Sequence, residues 1–176
     1  MLIRSLEQPD SLFLGLLLVL GAAGCTRPGT LDGQSYHRGE IAYRIGSLPP
    51  TWSRVSAHGA DLAFRHRDGG TIAVSASCGT ANSDDVSLDV LTNHLLFGIP
   101  RQVEDPRVPF TLDGREALRT HVRGLVDGVA VDLDLVVMKK DGCTYDLQLL
   151  AGPAVFPARQ ADFAPFVAAF ATGPRR

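Results

Sequence analysis

The sequence has little surplus of charge of either sign. Its 17 lysine and arginine residues stand against 19 aspartate and glutamate residues, for a formal net charge of -2 at pH 7. Proteins that bind nucleic acid carry a basic excess, or a basic stripe interleaved with aromatic residues, and this sequence has neither. We therefore expect no nucleic-acid partner.

The sequence also lacks familiar catalytic motifs. It contains no Gly-x-Ser-x-Gly, His-Glu-x-x-His, phosphate-binding glycine loop or dinucleotide fingerprint. His58, Asp61 and His66 are close in sequence, but their spacing is not diagnostic of a metal site, and surface histidines beside a hairpin are the commoner explanation. We predict no catalytic residue, no metal and no cofactor, although residues distant in sequence could still assemble an active site.

The longest hydrophobic run lies near the N-terminus. Residues 11–20 are apolar apart from Ser11 and Gly15, and small residues follow up to Cys25. With residues 21–24, this stretch has the length of a signal-peptide core and falls short of the roughly 20 residues that a membrane-spanning helix needs. A buried N-terminal helix with an unrelated cysteine is the alternative interpretation.

The residues before Cys25 resemble a bacterial lipobox, the signal in which the cysteine thiol receives a diacylglycerol and the new amino terminus is acylated. Ala23 and Gly24 match the pattern, and Ala22 stands where leucine is usual. The resemblance implies that residues 1–24 are a lipoprotein signal peptide and that lipidated Cys25 anchors the chain to a bilayer.

The polar residues after the cysteine predict a flexible tether over residues 25–38, followed by a single domain over residues 39–172. Thr26, rather than aspartate, follows the cysteine. By resemblance to enterobacterial sorting, this residue favours the outer membrane of the cell envelope, with the domain facing the periplasm.

Two cysteines remain once Cys25 is lipidated, namely Cys78 and Cys143. Alternation in residues 72–78 and 143–149 places each of them on the apolar face of a strand. An even pair in an exported protein suggests a disulfide. Two separate buried thiols are the alternative, because free cysteine is common in protein cores.

Turn signals divide the rest of the chain into strands. Asp-Gly occurs four times between alternating apolar runs, and it favours hairpins because both residues tolerate positive φ. The four copies begin at Asp68, Asp113, Asp127 and Asp141. Residues 115–151 are therefore predicted to form a three-stranded antiparallel meander, with a further strand at residues 107–112.

The hairpin at Asp127 has a register that the sequence itself specifies. A two-residue turn pairs apolar with apolar side chains on one face and basic with acidic side chains on the other, and a one-residue slip destroys both patterns. The predicted partners are Val126 with Val129, Val122 with Leu133, Thr120 with Leu135, Leu118 with Val137, Arg123 with Asp132, and His121 with Asp134.

Two other Asp-Gly turns require longer loops if apolar residues are to stay in phase. A three-residue loop that includes Lys140 sets Leu135 opposite Leu147. The same logic at the first Asp-Gly sets Phe64 opposite Val74. We therefore predict a bulged turn, with glycine in the left-handed position, for the loop of Lys140, Asp141 and Gly142.

Two helices interrupt the strands. Ser87 is a candidate N-cap, and the helix after it has a stripe of leucines and ends at Gly98. The stripe consists of Leu88, Leu91 and Leu95. A second helix is predicted over residues 162–171, with Phe163, Phe166, Val167 and Phe170 as its apolar face and Pro165 in its first turn. The order of elements predicts an α+β domain, in which two helices pack on an antiparallel sheet.

One face of the predicted meander is charged. It carries Arg119, His121, Arg123, Asp132 and Asp134. A solvated face with weak ion pairs explains these residues, and a docking surface for a partner is the functional alternative. Trp52, next to two prolines, is either a plug at the edge of the core or a further contact residue of that docking surface.

The order of these segments resembles that of PsbP-like domains over residues 40–171. The resemblance rests on Tyr43-Arg44-Ile45 followed by Pro49-Pro50-Thr51-Trp52, on the strand at residues 61–64, on the helix after Ser87, on the strand at residues 141–147 and on the closing phenylalanine-rich helix. It implies a sheet flanked by helices and a role in binding or assembly without catalysis. The two cysteines depart from the family pattern.

The sequence therefore predicts a non-enzymatic, membrane-anchored envelope lipoprotein that binds an envelope protein or helps to assemble a complex. Two other functions stay open. One is a binder of a small apolar ligand between sheet and helices, and the other is a hydrolase assembled from distant residues.

Overall fold

Strands make up most of the fold. The computed structural model describes residues 29–79 and 86–174, and in these residues the chain forms twelve strands and two helices. The elements are β1 (Thr30–Asp32), β2 (Ser35–Arg38), β3 (Ile41–Arg44), β4 (Trp52–Val55), β5 (Leu62–His66), β6 (Thr71–Cys78), α1 (Leu88–Leu95), β7 (Arg101–Glu104), β8 (Val108–Leu112), β9 (Arg115–Val126), β10 (Val129–Lys140), β11 (Cys143–Ala151), α2 (Phe156–Ala168) and β12 (Ala171–Thr172). Cys25 and the predicted signal peptide lie outside the described residues.

The strands form two antiparallel sheets. The large sheet has the order β4-β5-β6-β11-β10-β9-β7, with β8 also paired to β9, and the small sheet has the order β1-β2-β3-β12. Helix α1 packs on β9 and β10, whereas α2 packs on β11. The predicted α+β class is thus confirmed, with the two helices on opposite faces of the large sheet.

The core has two parts because both faces of the large sheet are covered. The first part lies between the large sheet, the small sheet and α2, and it contains Leu147 and Phe163. The second part lies under α1 and contains Leu96, Val122 and Leu133. As a result, every residue of β10 from 131 to 138 is buried.

The tether predicted over residues 25–38 is wrong for its second half. Residues 30–38 form β1 and β2, and β2 pairs with β3. Tyr36 explains why this segment folds, because its ring is 1% exposed and stacks on Tyr43 at 4.8 Å between ring centroids. The folded domain therefore includes residues before the predicted boundary at 39.

The hairpin register predicted around Asp127 is confirmed in all six pairs. Asp113, Asp127 and Asp141 each have φ between 48° and 52°, and the glycine after each also has positive φ. Positive φ at both central residues is the geometry of the two-residue turn that matches strand twist. Three of the four Asp-Gly copies therefore form the same tight turn.

The longer loop predicted at Asp141 is wrong. Lys140 pairs with Cys143 across a two-residue turn, so that Val137 faces Asp146 and Val136 faces Leu147. The alternation of apolar residues could not determine the length of this turn, because β10 is apolar on both faces and either register with β11 buries hydrophobic side chains. The observed register places the Asp146 carboxyl inside the fold.

The register predicted at the first Asp-Gly is also wrong, by two residues. Phe64 pairs with Ile72 and Leu62 with Val74, whereas Phe64 was expected to face Val74. A shift of two residues keeps every side chain on its predicted face. The apolar pattern was therefore interpreted correctly, and the loop length was not.

Helix α1 agrees with its prediction, and α2 does not. Ser87 caps α1 by accepting a hydrogen bond from the Val90 N–H at 3.3 Å. Helix α2 begins six residues before the predicted start, at Phe156, which is 6% exposed. Pro165 consequently lies inside the helix rather than in its first turn.

The predicted disulfide is present. Cys78 and Cys143 are direct partners in the pairing of β6 with β11, and their Cα atoms are 4.1 Å apart. The two cysteines are 65 positions apart in sequence. The bond links the end of β6 to the start of β11, directly after the Asp141 turn. A cross-link of this span removes about 4 kcal/mol of chain entropy from the unfolded state.

We predict that Asp146 makes stability depend on pH. Its Oδ1 is buried without a hydrogen-bond partner in the described part of the chain, and burial raises the pKa of Asp146 to about 6. The carboxyl ionises more readily in the unfolded chain, at about pH 4. Stability therefore falls as the pH rises between these two values.

Urea denaturation at two pH values tests this prediction. Asp146→Asn should raise the free energy of unfolding by about 1–2 kcal/mol at pH 7 and change it little at pH 4. Asp127→Asn, at an exposed turn position, is the matched control and should show no such dependence on pH. An equal effect of Asp146→Asn at both pH values would contradict the prediction.

Candidate functional site

The charged residues predicted to form a docking face do converge, in what we call the polar network (Arg119, His121, Arg123, Asp132 and Asp134). Cross-strand pairing of β9 with β10 places His121 opposite Asp134 and Arg123 opposite Asp132. Some of the side-chain contacts join residues that are diagonal neighbours rather than direct cross-strand partners. His121 Nε2 lies 2.9 Å from Asp132 Oδ1, and Arg119 Nε donates to Asp134 Oδ1 at 2.8 Å.

The acidic members of the polar network are buried, which contradicts a solvated face. Asp132 is 2% exposed and Asp134 is 0% exposed. Helix α2 covers them from its first turns: the Gln160 side-chain amide donates to Asp134 Oδ2 at 3.1 Å, and Phe156 stacks on His121 at 4.9 Å between ring centroids. The expectation of an open charged surface failed because α2 begins earlier than predicted.

The basic members of the polar network lie at its solvent edge. The side chains of Arg119 and Arg123 are 34% and 49% exposed. The hydrogen bond to Asp134 raises the pKa of Arg119, against the opposing effect of burial. His121 also contacts Asp105 through Nδ1 at 2.7 Å. This arrangement neutralises buried carboxylates, and a docking role for its exposed edge stays a prediction.

Trp52 lies apart from the polar network. Strand β4, which carries it, is separated from β10 by β5, β6 and β11. The indole is 7% exposed, its Nε1 donates to Asp162 Oδ2 of α2 at 2.9 Å, and its ring packs edge-on against His66. Trp52 is therefore a plug at the edge of the core, and its assignment to a docking face is wrong.

Two of the three residues considered for a metal site, Asp61 and His66, have structural partners, and His58 is exposed. Asp61 accepts hydrogen bonds from Arg38 Nε at 2.7 Å and from the Ala76 N–H at 2.8 Å. His66 Nδ1 accepts the Asp68 N–H at 3.0 Å. Within residues 29–79 and 86–174, no group of histidine, cysteine and acidic side chains could hold a metal ion.

Sequence reasoning missed an exposed apolar surface, the tip patch (Phe97, Ile99, Val126 and Val129). Phe97 is 89% exposed and Val129 is 64% exposed. Val126 and Val129 are paired at the Asp127 turn, and Ile99 lies against the same turn. A signal did exist, because Leu95, Leu96 and Phe97 are consecutive and a helix end cannot turn three successive side chains toward one sheet.

The backbone holds the tip patch in place. The Leu125 N–H donates to the Pro100 carbonyl at 3.0 Å, which ties the segment after α1 to β9. Gly124 permits this approach, since a Cβ there would lie 2.8 Å from the same carbonyl oxygen and 3.0 Å from Ile99. Phe97 is thus presented on a braced loop.

In the described part of the chain, neither helix is long and apolar enough to cross a membrane.

We predict that Arg119 and Arg123 differ sharply in their effect on stability. Arg119→Met leaves the fully buried Asp134 without two hydrogen bonds from Arg119 and should lower the free energy of unfolding by about 2–4 kcal/mol. Arg123→Met removes one hydrogen bond of 3.3 Å from a half-exposed side chain and should cost less than about 1 kcal/mol.

Urea unfolding followed by the fluorescence of Trp52 measures both variants. The double variant Arg119→Met, Asp134→Leu should recover part of the loss, because it leaves no buried charge uncompensated. Equal losses for Arg119→Met and Arg123→Met would contradict the distinction between the buried and the exposed side of the polar network.

Comparison with known proteins gives likeness in structure alone. No protein-family model and no curated protein sequence matches this chain. LpqN of Mycobacterium tuberculosis, described as involved in cell envelope biogenesis, shares 16% identity and a TM-score of 0.55, with 78% of this chain and 88% of LpqN covered. A Pseudomonas aeruginosa protein of unknown function shares 14% identity and a TM-score of 0.51, with 84% and 96% covered.

The cyanobacterial PsbP protein, CyanoP, of Synechocystis sp. PCC 6803 is a further structural match. It shares 16% identity and a TM-score of 0.53, and the match covers 90% of this chain and 100% of CyanoP. The resemblance to PsbP-like domains that the sequence suggested is therefore present in the structure, and the chain has the PsbP-like α+β fold.

Proposed function

We propose that this chain is a lipoprotein of the bacterial cell envelope, anchored through Cys25, whose PsbP-like domain binds a protein partner without catalysing a reaction. The lipobox-like sequence before Cys25 supports the anchor. The disulfide supports an oxidising compartment, and the likeness to LpqN, described as involved in cell envelope biogenesis, supports the envelope.

The observation that carries the binding role is the exposure of Phe97. An aromatic side chain that is 89% exposed on a braced loop leaves apolar surface in water. Exposed apolar patches that include an aromatic residue are typical of protein interaction sites, where a few aromatic side chains supply much of the binding energy. Two open hollows of about 460 and 370 Å³ flank the segment from Phe97 to Pro100 and could receive partner side chains.

The position of the tip patch favours a protein over the anchoring bilayer. Gly29, the first described residue after Cys25, lines a cavity with Ala76. Ala76 of β6 pairs with Tyr145 of β11, and Tyr145 pairs with Met138 of β10, so that Ala76 and Met138 lie at the same height in the sheet. Val129 is nine residues from Met138 along β10, which is about 30 Å along the strand. The tip patch therefore points away from the end where the anchor joins.

Metabolic labelling with a palmitate analogue tests the anchor. The wild-type protein should incorporate the label and sediment with membranes, and Cys25→Ala should do neither, because the acceptor thiol is gone. Thr26→Ala is the matched control and should label normally. Equal labelling of wild type and Cys25→Ala would refute lipid attachment at this residue.

Photo-crosslinking in native membranes tests the docking role. The photoreactive amino acid p-benzoylphenylalanine at Phe97 should give one discrete protein adduct, because this position is at the proposed interface. The same amino acid at Val108, which is 57% exposed outside the tip patch, should not give that adduct.

A second variant separates docking from folding. Phe97→Ser should abolish an adduct formed from a photoreactive residue at Val129, while it leaves the free energy of unfolding within about 0.5 kcal/mol of wild type, as expected for an exposed side chain. Lipid adducts at Phe97, or no adduct at all, would contradict a protein-docking role for the tip patch.

A further inference from the structure

A second surface feature lies at the opposite end of the molecule from the tip patch. It is an open cavity of about 750 Å³ between β2, the end of β6 and the segment that joins β4 to β5. Its lining includes Arg38, Arg54, Tyr36 and Ser56, together with small apolar residues such as Ala57 and Ala60.

The cavity carries one uncompensated positive charge. Its titratable groups are Tyr36, Arg38, Arg54 and Asp61. Asp61 is neutralised by Arg38, which donates from Nε at 2.7 Å. Arg54 forms no ion pair within the described part of the chain. A cavity of this charge favours an anion, although the chain as a whole has a net charge of -2.

Arg38 is held rigidly at the cavity wall. Its Nη2 donates to the Ala76 carbonyl at 3.0 Å, in addition to the ion pair with Asp61, and Asp61 is itself fixed by the Ala76 N–H at 2.8 Å. Fixed guanidinium groups bind phosphate oxygens well, because little side-chain freedom is lost on binding.

The cavity also lies where the chain leaves the domain toward Cys25. Gly29 is part of the cavity wall, and a side chain at this position would overlap the ring of Tyr36. Gly29 is four positions after Cys25, and a chain segment of that length spans at most about 14 Å. If Cys25 carries the lipid, as the proposed function holds, the cavity opens close to the headgroup layer.

We propose that this cavity binds the phosphate of an anionic phospholipid in the leaflet that holds the Cys25 anchor. Arg54 and Arg38 contact the phosphate, the Ser56 hydroxyl donates to it, and the alanine-lined wall accommodates the glycerol. The domain then stands on the membrane in one orientation, with this end at the bilayer and the tip patch away from it. The inference rests on the proposed lipid anchor.

Photo-crosslinking to lipid tests the proposal on the full lipidated protein. The protein carries p-benzoylphenylalanine at the exposed, cavity-lining position Ala57 and is reconstituted in vesicles of phosphatidylglycerol and phosphatidylcholine or of phosphatidylcholine alone. Irradiation should give an adduct with the mass of phosphatidylglycerol in the mixed vesicles. The same amino acid at Phe97 should give no lipid adduct.

Variants of Arg54 make the test specific. Arg54→Ala should lower the yield of the phosphatidylglycerol adduct about fivefold, the effect of one arginine near an anionic surface, and Arg54→Lys should keep most of it. Arg65→Ala is the matched control, because Arg65 is an exposed arginine on the neighbouring strand that does not line the cavity. Equal loss in Arg54→Ala and Arg65→Ala would overturn the site and leave a general charge effect.

The remaining outcomes separate this inference from the proposed function. A protein that is palmitate-labelled and membrane-bound but gives no lipid adduct at Ala57 would overturn the cavity assignment and leave the anchor intact. A protein without palmitate label would overturn the proposed anchor instead. Loss of the adduct when free glycerol phosphate, at a concentration matched to the lipid, is present during irradiation would assign the cavity to a soluble phosphate ester and overturn the lipid assignment.

Discussion

The burial of both faces of β10 is the constraint on which the rest of this structure depends. Helix α1 and the second core cover one face, and α2 and the first core cover the other. Polar side chains at residues 131–138 of this strand are buried and must find partners within the fold. Asp132 and Asp134 therefore need the histidine and arginines of β9, and the polar network is a consequence of the architecture.

The length of β9, β10 and β11 separates the two surfaces to which we assign a function, namely the tip patch and the cavity lined by Arg38 and Arg54. The tight turn at Asp127 carries the tip patch at one end of these strands. The disulfide lies at their other end, near the cavity lined by Arg38 and Arg54. An apolar patch and a cationic cavity bind different kinds of partner. Because the two sites are separated by the length of a strand, both can be occupied at once. Under the two proposals made above, one rigid sheet connects the bilayer contact to the protein contact.

The sequence predicted those strand registers and turns that alternation and turn chemistry determine locally. The Asp127 register was predictable because its two faces differ, one apolar and one charged, whereas the Asp141 register was not, because both faces of β10 are apolar. The start of α2 was missed because residues 157–162 have little apolar periodicity, and that error made the polar network look exposed. The cavity beside Gly29 joins residues from three separate segments, so no local pattern indicated it.

The orientation of the domain on the membrane tests the central claim most directly. Energy transfer to acceptor-labelled lipids can be measured from a donor at Ala57 and, separately, from a donor at Asp127, in the full lipidated protein on phosphatidylglycerol-containing vesicles. The account predicts that the donor at Asp127 lies farther from the bilayer than the donor at Ala57, by up to about 30 Å. Equal transfer from the two positions, or stronger transfer from Asp127, would contradict it.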